Sequence, residues 1–129
     1  MSGRILNWTL VFTTPSLEHL AERGFDDANI SDSVFGKWGS VRVRRVGTGN
    51  RERWILVAPL DDGRLCTFVF RRAEPRDLDQ PGAFVVPADG VPADPRAFGE
   101  SMRLCVSSRV SSDDEVRSYD NWLGKKGGR

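Results

Sequence analysis

Three short apolar segments separated by turn sequences lie between residues 41 and 70, and they constrain the fold more than any other feature. In the first segment Val41 and Val43 alternate with arginines, which is the two-residue period of a half-buried strand. Turn-forming residues at 47–50 separate it from a second apolar run at Arg53–Pro59. An Asp-Gly pair at 62–63 then predicts a hairpin turn before a third run at Leu65–Phe70. The pattern predicts three consecutive antiparallel strands.

Helical patterns lie on both sides of these strands. Thr14 is expected to cap a first helix, whose apolar residues recur every three to four positions up to about residue 21. A second, shorter helix is expected from residue 26 or 27, with Ile30 and Val34 on one face. A third begins at Ser112, where Ser-Asp-Asp-Glu is a capping box in which the serine and Glu115 each bond a backbone N–H. The sequence therefore predicts two helices before the strands and one after them.

An insertion, Arg71–Ser101, separates the third strand from a fourth at Met102–Val106. It contains five of the seven prolines of the chain, which argues against a continuous helix or a central strand. We expect a long, mainly irregular surface loop, in which Phe84–Val86 adds a short strand or an apolar anchor. With a further strand at Ile5–Phe12, the predicted fold class is α+β. It has two N-terminal helices, an antiparallel meander of about four strands and a C-terminal helix, in one domain spanning residues 1–129.

Arginine dominates the basic residues of a chain whose net charge is only +1. Arginine suits bidentate phosphate contacts, although a genome rich in G and C would also raise its content. The arginines cluster at residues 41–54 and predict a local cationic face on a nearly neutral molecule. The residues expected to bind RNA there are Arg42, Arg44, Arg45 and Arg51.

The remaining composition narrows the classes of protein. One histidine and two cysteines are too few for a structural zinc site, so no metal is expected. Cys66 and Cys105 lie in apolar runs, where buried thiols are common. No apolar run is long enough to span a membrane, and the first residues lack the pattern of a secretory signal. We therefore expect a cytoplasmic protein with no membrane partner.

A serine–arginine motif follows the fourth predicted strand. The chain reads Ser107-Ser108-Arg109, then Ser111-Ser112, Glu115 and Tyr119. This resembles the C-terminal pattern of BrnT-like toxins of bacterial toxin–antitoxin systems, which belong to the larger RelE-type ribonuclease group. In that pattern Ser-Ala-Arg is followed at the same spacing by Ala-Thr, Glu and Tyr.

Two shorter matches accompany this resemblance. The segment from Arg53 to Phe70 is similar to an Arg-aromatic-apolar strand, a glycine hairpin and a Val-Val-Phe strand of the family. Glu22-Arg23-Gly24 and the helix after it are similar to the Lys-His-Gly of the family. The sequence departs from the family in having Glu-Arg in place of Lys-His, and in carrying the insertion where the family has a tight hairpin.

The resemblance implies a toxin that cleaves RNA, inhibits translation and growth, needs no metal or cofactor, and pairs with a cognate antitoxin protein. Such endoribonucleases use the 2′-hydroxyl of the RNA as nucleophile, so the protein must move protons and stabilise the crowded phosphate. Arginines suit the second task, and histidine is the side chain that changes protonation near neutral pH. The residues expected to be catalytic are Arg109, Arg53, His19 and Arg23.

Each of these residues also has a structural interpretation. Arg109 would pair with Glu115 or with the chain around the last helix, Arg53 would be a solvated strand charge, and His19 would be a structural residue of its helix. Further candidates for the base are Glu52 and Glu22. Residues expected in the core rather than in a site are Tyr119, Cys66, Cys105 and most of the tryptophans.

Two other functions stay open. One is a non-catalytic RNA- or protein-binding member of the same fold, which the loss of the Lys-His pair favours. The other is an accessory or immunity-type interaction protein that uses the proline-rich insertion as its contact surface. No oligomeric state is predicted.

Overall fold

The computed structural model describes residues 7–88 and 101–125, which form three α-helices and a six-stranded sheet. The helices are α1 (Thr14–Ala21), α2 (Asp27–Val34) and α3 (Asp113–Lys125). The strands are β1 (Thr9–Phe12), β2 (Arg42–Val46), β3 (Arg53–Pro59), β4 (Leu65–Arg72), β5 (Phe84–Pro87) and β6 (Met102–Val110). The predicted α+β class is confirmed.

The strands lie in the order β2-β3-β4-β6-β1-β5. Neighbours among β2, β3, β4 and β6 pair antiparallel, as the sequence predicts. The expectation of a purely antiparallel sheet of about four strands is wrong, because β1 joins it in parallel with β6 and β5 joins antiparallel to β1. β1 has no hairpin partner next to it in the sequence, so only pairing with distant strands decides its place in the sheet.

The insertion is more regular than expected in its described part. β4 continues into it, a short 3₁₀ helix spans Pro75–Asp79, and β5 follows. Two of its prolines occupy positions that tolerate them, because Pro75 opens the 3₁₀ helix and Pro87 ends an edge strand. Leu78 also packs in a small apolar cluster, so Phe84–Val86 is not the sole anchor. Residues 89–100 of the insertion lie outside the described residues.

Local hydrogen bonds fix where the first and last helices begin. Thr13, one residue before the expected cap, accepts from the Ser16 N–H at 3.1 Å, and Ser16 Oγ accepts from the Thr13 N–H at 2.9 Å. The expected capping box of α3 is present, since Ser112 and Glu115 bond each other's N–H groups. Because Thr13 follows β1 directly, α1 starts beside the end of that strand. β1 itself is shorter than the expected Ile5–Phe12, of which residues 5 and 6 lie outside the described residues.

The two faces of the sheet carry different layers. On one face α1 and α2 cover the main core, which contains most of the buried aromatic residues, including Trp8 and Trp54. On the other face lies α3, whose buried Tyr119 donates from its hydroxyl to the Ser40 carbonyl at 2.7 Å. Both cysteines are free and buried in the core, as expected. No helix in the described ranges is long and apolar enough to cross a membrane.

Candidate functional site

The second half of β6 has a strand neighbour on only one side among the described residues. β4 pairs with β6 as far as Val110, whereas β1 pairs with it only over Met102–Leu104. The chain then leaves the sheet at Thr13, so α1 instead of a strand lies beside residues 105–109 of β6. The space between α1 and β6 holds two neighbouring cavities, and His19 lines both.

The first of these, the Arg109 cavity, has a volume of about 210 Å³. It lies where the end of α1 approaches the last residues of β6. Its lining residues are His19, Leu20, Arg23, Ser107, Ser108 and Arg109. Three of the four residues expected to be catalytic thus line one space, and two of them, Arg23 and Arg109, are cationic.

Arg109 has a carboxylate partner in α3. Its two terminal nitrogens lie 2.5 and 2.6 Å from the two carboxylate oxygens of Glu115, so the pairing that was the structural alternative for this residue is observed. The hydrogen bonds from Arg109 lower the pKa of Glu115 to about 2, and the same pair raises the pKa of Arg109. Glu115 uses one hydrogen on each terminal nitrogen, so three of the five N–H groups of Arg109 stay available to a second ligand.

His19 and Ser108 complete the polar lining of the Arg109 cavity. His19 Nδ1 lies 3.9 Å from Glu22 Oε1, and both side chains are more than half exposed, which keeps this contact weak. Ser108 is only 3% exposed, and its hydroxyl has no hydrogen-bond partner in the described part of the chain. Ser108 stands at the second position of the Ser-Ser-Arg motif, so the motif spacing could have indicated it as a site residue.

Arg53 lies away from this group, so the four residues expected to be catalytic do not all line one cavity. Trp54 pairs with Phe70 on β4, whereas Arg109 pairs with Thr67, and the two arginines are therefore offset along the sheet. Arg53 lines a separate space of about 240 Å³, the Arg53 cavity, whose lining includes Asn50, Glu52, Arg53, Arg71, Arg72 and Glu74.

The guanidinium of Arg53 is held by backbone groups. Its Nη1 donates to the carbonyls of Glu52 at 2.8 Å and of Asn50 at 3.3 Å. Neither acceptor carries a full negative charge. The side chain is thus oriented, and its positive charge is not offset by a carboxylate partner among the described residues.

The four arginines expected to bind RNA do not share one face. Arg42 and Arg44 lie on the α3 side of β2, where Arg42 bonds α3 and Arg44 is exposed. Arg45 points to the opposite face and forms an ion pair with Glu52, while Arg51 lies in the 3₁₀ turn before β3. The grouping of Arg45 with its neighbours is therefore wrong, because alternate residues of a strand point to opposite sides.

A third space, the Gln80 cavity, lies between the other two and has a volume of about 290 Å³. Its lining includes Pro15, Ser16, His19, Arg71, Gln80 and Val106. Sequence reasoning missed the residues that the insertion contributes, because nothing in the sequence indicated that the insertion folds back against α1. The Thr14 N–H donates to the Pro81 carbonyl at 2.8 Å and fixes that approach.

The described residues contain no group of three His, Cys, Asp or Glu side chains that could hold a metal ion. Comparisons with protein-family models, with curated proteins and with solved structures found no match to this chain.

Proposed function

We propose that this protein is the toxin of a bacterial toxin–antitoxin system, with a BrnT-like fold of the RelE-type group, and that it cleaves RNA. The observation that carries the proposal is the grouping of His19, Arg23 and Arg109 around one cavity. His19 in α1 and Arg23 just after it lie far in the sequence from Arg109 in β6, and all three were expected as site residues. The RNA and a cognate antitoxin are the partners of this proposal.

The lining of the Arg109 cavity supports a phosphate-centred reaction. The 2′-hydroxyl oxygen of the RNA attacks the adjacent phosphorus, the bond to the 5′-oxygen breaks, and a 2′,3′-cyclic phosphate forms. Arg23 and the free N–H groups of Arg109 stabilise the additional negative charge on the phosphate oxygens. His19 protonates the leaving 5′-oxygen, and water takes the proton of the 2′-hydroxyl.

The test is cleavage of a mixed-sequence RNA by the purified protein and by three variants. His19→Ala should lower the rate by about 10²–10⁴-fold, which is the usual contribution of a positioned acid or base. Arg23→Ala should lower it by at least about tenfold, since a charged hydrogen bond to the phosphate is lost. Arg64→Ala is the matched control, because Arg64 pairs with Asp62 in the β3–β4 turn and lines none of the three cavities. Equal rates in all four proteins would refute catalysis at this site.

A non-catalytic RNA-binding member of the same fold is the second candidate. The bidentate ion pair between Glu115 and Arg109 favours this candidate. The carboxylate already bonds the two terminal nitrogens of Arg109 that would otherwise bind a phosphate. RNA binding that weakens steeply with salt, without cleavage, would support this candidate over the toxin. Glu115→Gln should then tighten RNA binding and Arg109→Ala should weaken it. If both changes weaken it equally, Glu115 only holds Arg109 in position.

A further inference from the structure

Neighbouring cavities share a lining residue, and we call the three cavities together the path. Arg71 lines both the Arg53 cavity and the Gln80 cavity, and His19 lines both the Gln80 cavity and the Arg109 cavity. We propose that this path binds an extended single strand of nucleic acid, with one base in the Gln80 cavity and backbone phosphates at its two ends. The inference rests on the proposed function and extends it to a substrate class, a single strand of several nucleotides.

The ends of the path carry the cations that no carboxylate offsets. Arg53 bonds only backbone carbonyls, and the guanidinium of Arg23 has no bond or ion pair in the described part of the chain. The carboxylates that line the path are all paired with arginines. These pairs are Asp77 with Arg71, Glu74 with Arg76, and Glu52 with Arg45 and Arg72. The uncompensated positive charge therefore lies at the two ends, where the proposal places phosphates.

The middle of the path has the features of a base site. Pro15, Leu104 and Val106 give the Gln80 cavity apolar walls. Gln80 is exposed at its edge, and its amide has no hydrogen-bond partner among the described residues. Proteins that bind single strands place unstacked bases against such walls and bond their edges with side-chain amides. A duplex keeps its bases paired and stacked, so it could place one there only by unpairing it.

The assignment gives Arg53 a role distinct from catalysis. It becomes a binding residue for a phosphate that lies one cavity beyond the base, far from the Arg109 cavity. A short ligand that is bound around His19 and Arg109 does not reach it, whereas a longer strand does. The effect of removing Arg53 should therefore depend on the length of the ligand.

The experiment measures fluorescence anisotropy with labelled oligothymidylates of deoxyribose, which cannot be cleaved because they lack the 2′-hydroxyl. The wild-type protein should bind an octanucleotide more tightly than a dinucleotide, and more tightly than an eight-base-pair duplex. Arg53→Ala should weaken octanucleotide binding by about tenfold and lower its salt slope by about one, while dinucleotide binding changes little. Arg64→Ala should change neither.

Three results would contradict the proposal that the path binds a single strand. They are the absence of binding by the wild-type protein, an equal loss for both ligand lengths in Arg53→Ala, and duplex binding as tight as single-strand binding. Failure of the proposed function is a separate result. If binding depends on ligand length and on Arg53 but no RNA is cleaved, the proposed toxin activity is rejected and the proposed single-strand site is supported.

Discussion

Arg71 and Asp77 lie six residues apart in the chain and face each other with two nitrogen–oxygen distances of 2.9 Å. The pair connects β4 to the 3₁₀ helix of the insertion and forms part of the wall of the Gln80 cavity. The Asp77 carboxyl is buried, and burial alone would raise its pKa. The hydrogen bonds from Arg71 and from the Glu74 N–H outweigh burial and lower the pKa of Asp77.

Asp77→Asn should destabilise the protein through this pair. The substitution keeps the shape of the side chain but leaves the mostly buried Arg71 without its counter-charge. We expect the free energy of unfolding to fall by about 2–4 kcal/mol. Urea unfolding measures this, with Asp79→Asn as the control, since that exposed residue ends the same 3₁₀ helix and should matter by less than about 0.5 kcal/mol. Equal effects of the two changes would contradict the prediction.

Glu115 should make the stability sensitive to acid. Its pKa is lowered to about 2 from an ordinary value of 4.5, chiefly by the hydrogen bonds from Arg109. A carboxyl with a lower pKa in the folded state stabilises the fold above its unfolded pKa and loses this contribution as the pH falls. The free energy of unfolding should therefore decrease between about pH 4.5 and pH 2, and Glu115→Gln should flatten this part of the profile. Profiles of the two proteins that run parallel over this range would exclude the effect.

Gln80 should determine which base the path prefers. A side-chain amide that bonds one base edge can discriminate by about 1–3 kcal/mol. Gln80→Ala should therefore reduce the differences in affinity among homo-oligomers of the four bases by about tenfold, with little change in the weakest affinity. Anisotropy titrations with labelled octanucleotides measure this. An unchanged ranking of the bases would show that Gln80 does not read them.

Gly82 should be less replaceable than Gly49, although both have a left-handed backbone. A Cβ on Gly82, where φ is +68°, would lie 2.2 Å from Thr14 Oγ1, whereas a Cβ on Gly49, where φ is +60°, would meet nothing within 4 Å. Gly49→Ala therefore measures the backbone cost alone, about 1–2 kcal/mol. Gly82→Ala should cost about 1–3 kcal/mol more because of the clash. Thermal unfolding of both variants tests this. Equal losses of stability would show that the insertion shifts away from Thr14 and relieves the clash.

The sequence predicted those parts of the fold that local signals determine. The Asp62-Gly63 turn set the β3–β4 hairpin, and the Ser112 capping box set the start of α3, because both depend on residues within a few positions. The position of β1 and the strand β5 depend on pairing between distant segments. No periodicity within one segment contains that information.

The candidate site was likewise predicted only in part. The motif matches pointed to Arg23, Arg53 and Arg109, and the chemistry of histidine pointed to His19. Three of these residues line one cavity, but Arg53 lines another. The strand offset that separates it from Arg109 follows from the register of three strands, which the sequence alone did not give. The opposite orientation of Arg45 could have been predicted, since the two-residue period places it across the sheet from Arg44. Gln80 was not identifiable, because its relevance depends on where the insertion packs.

β1 lies between β5 and β6, two strands that leave the ribosome long after it. The β2–β3–β4 meander joins neighbours in sequence, whereas β1 pairs with strands that are synthesised well after it. The space between α1 and β6 is built from an early segment and a late one. A nascent chain therefore lacks the complete space between α1 and β6 until β6 has been synthesised.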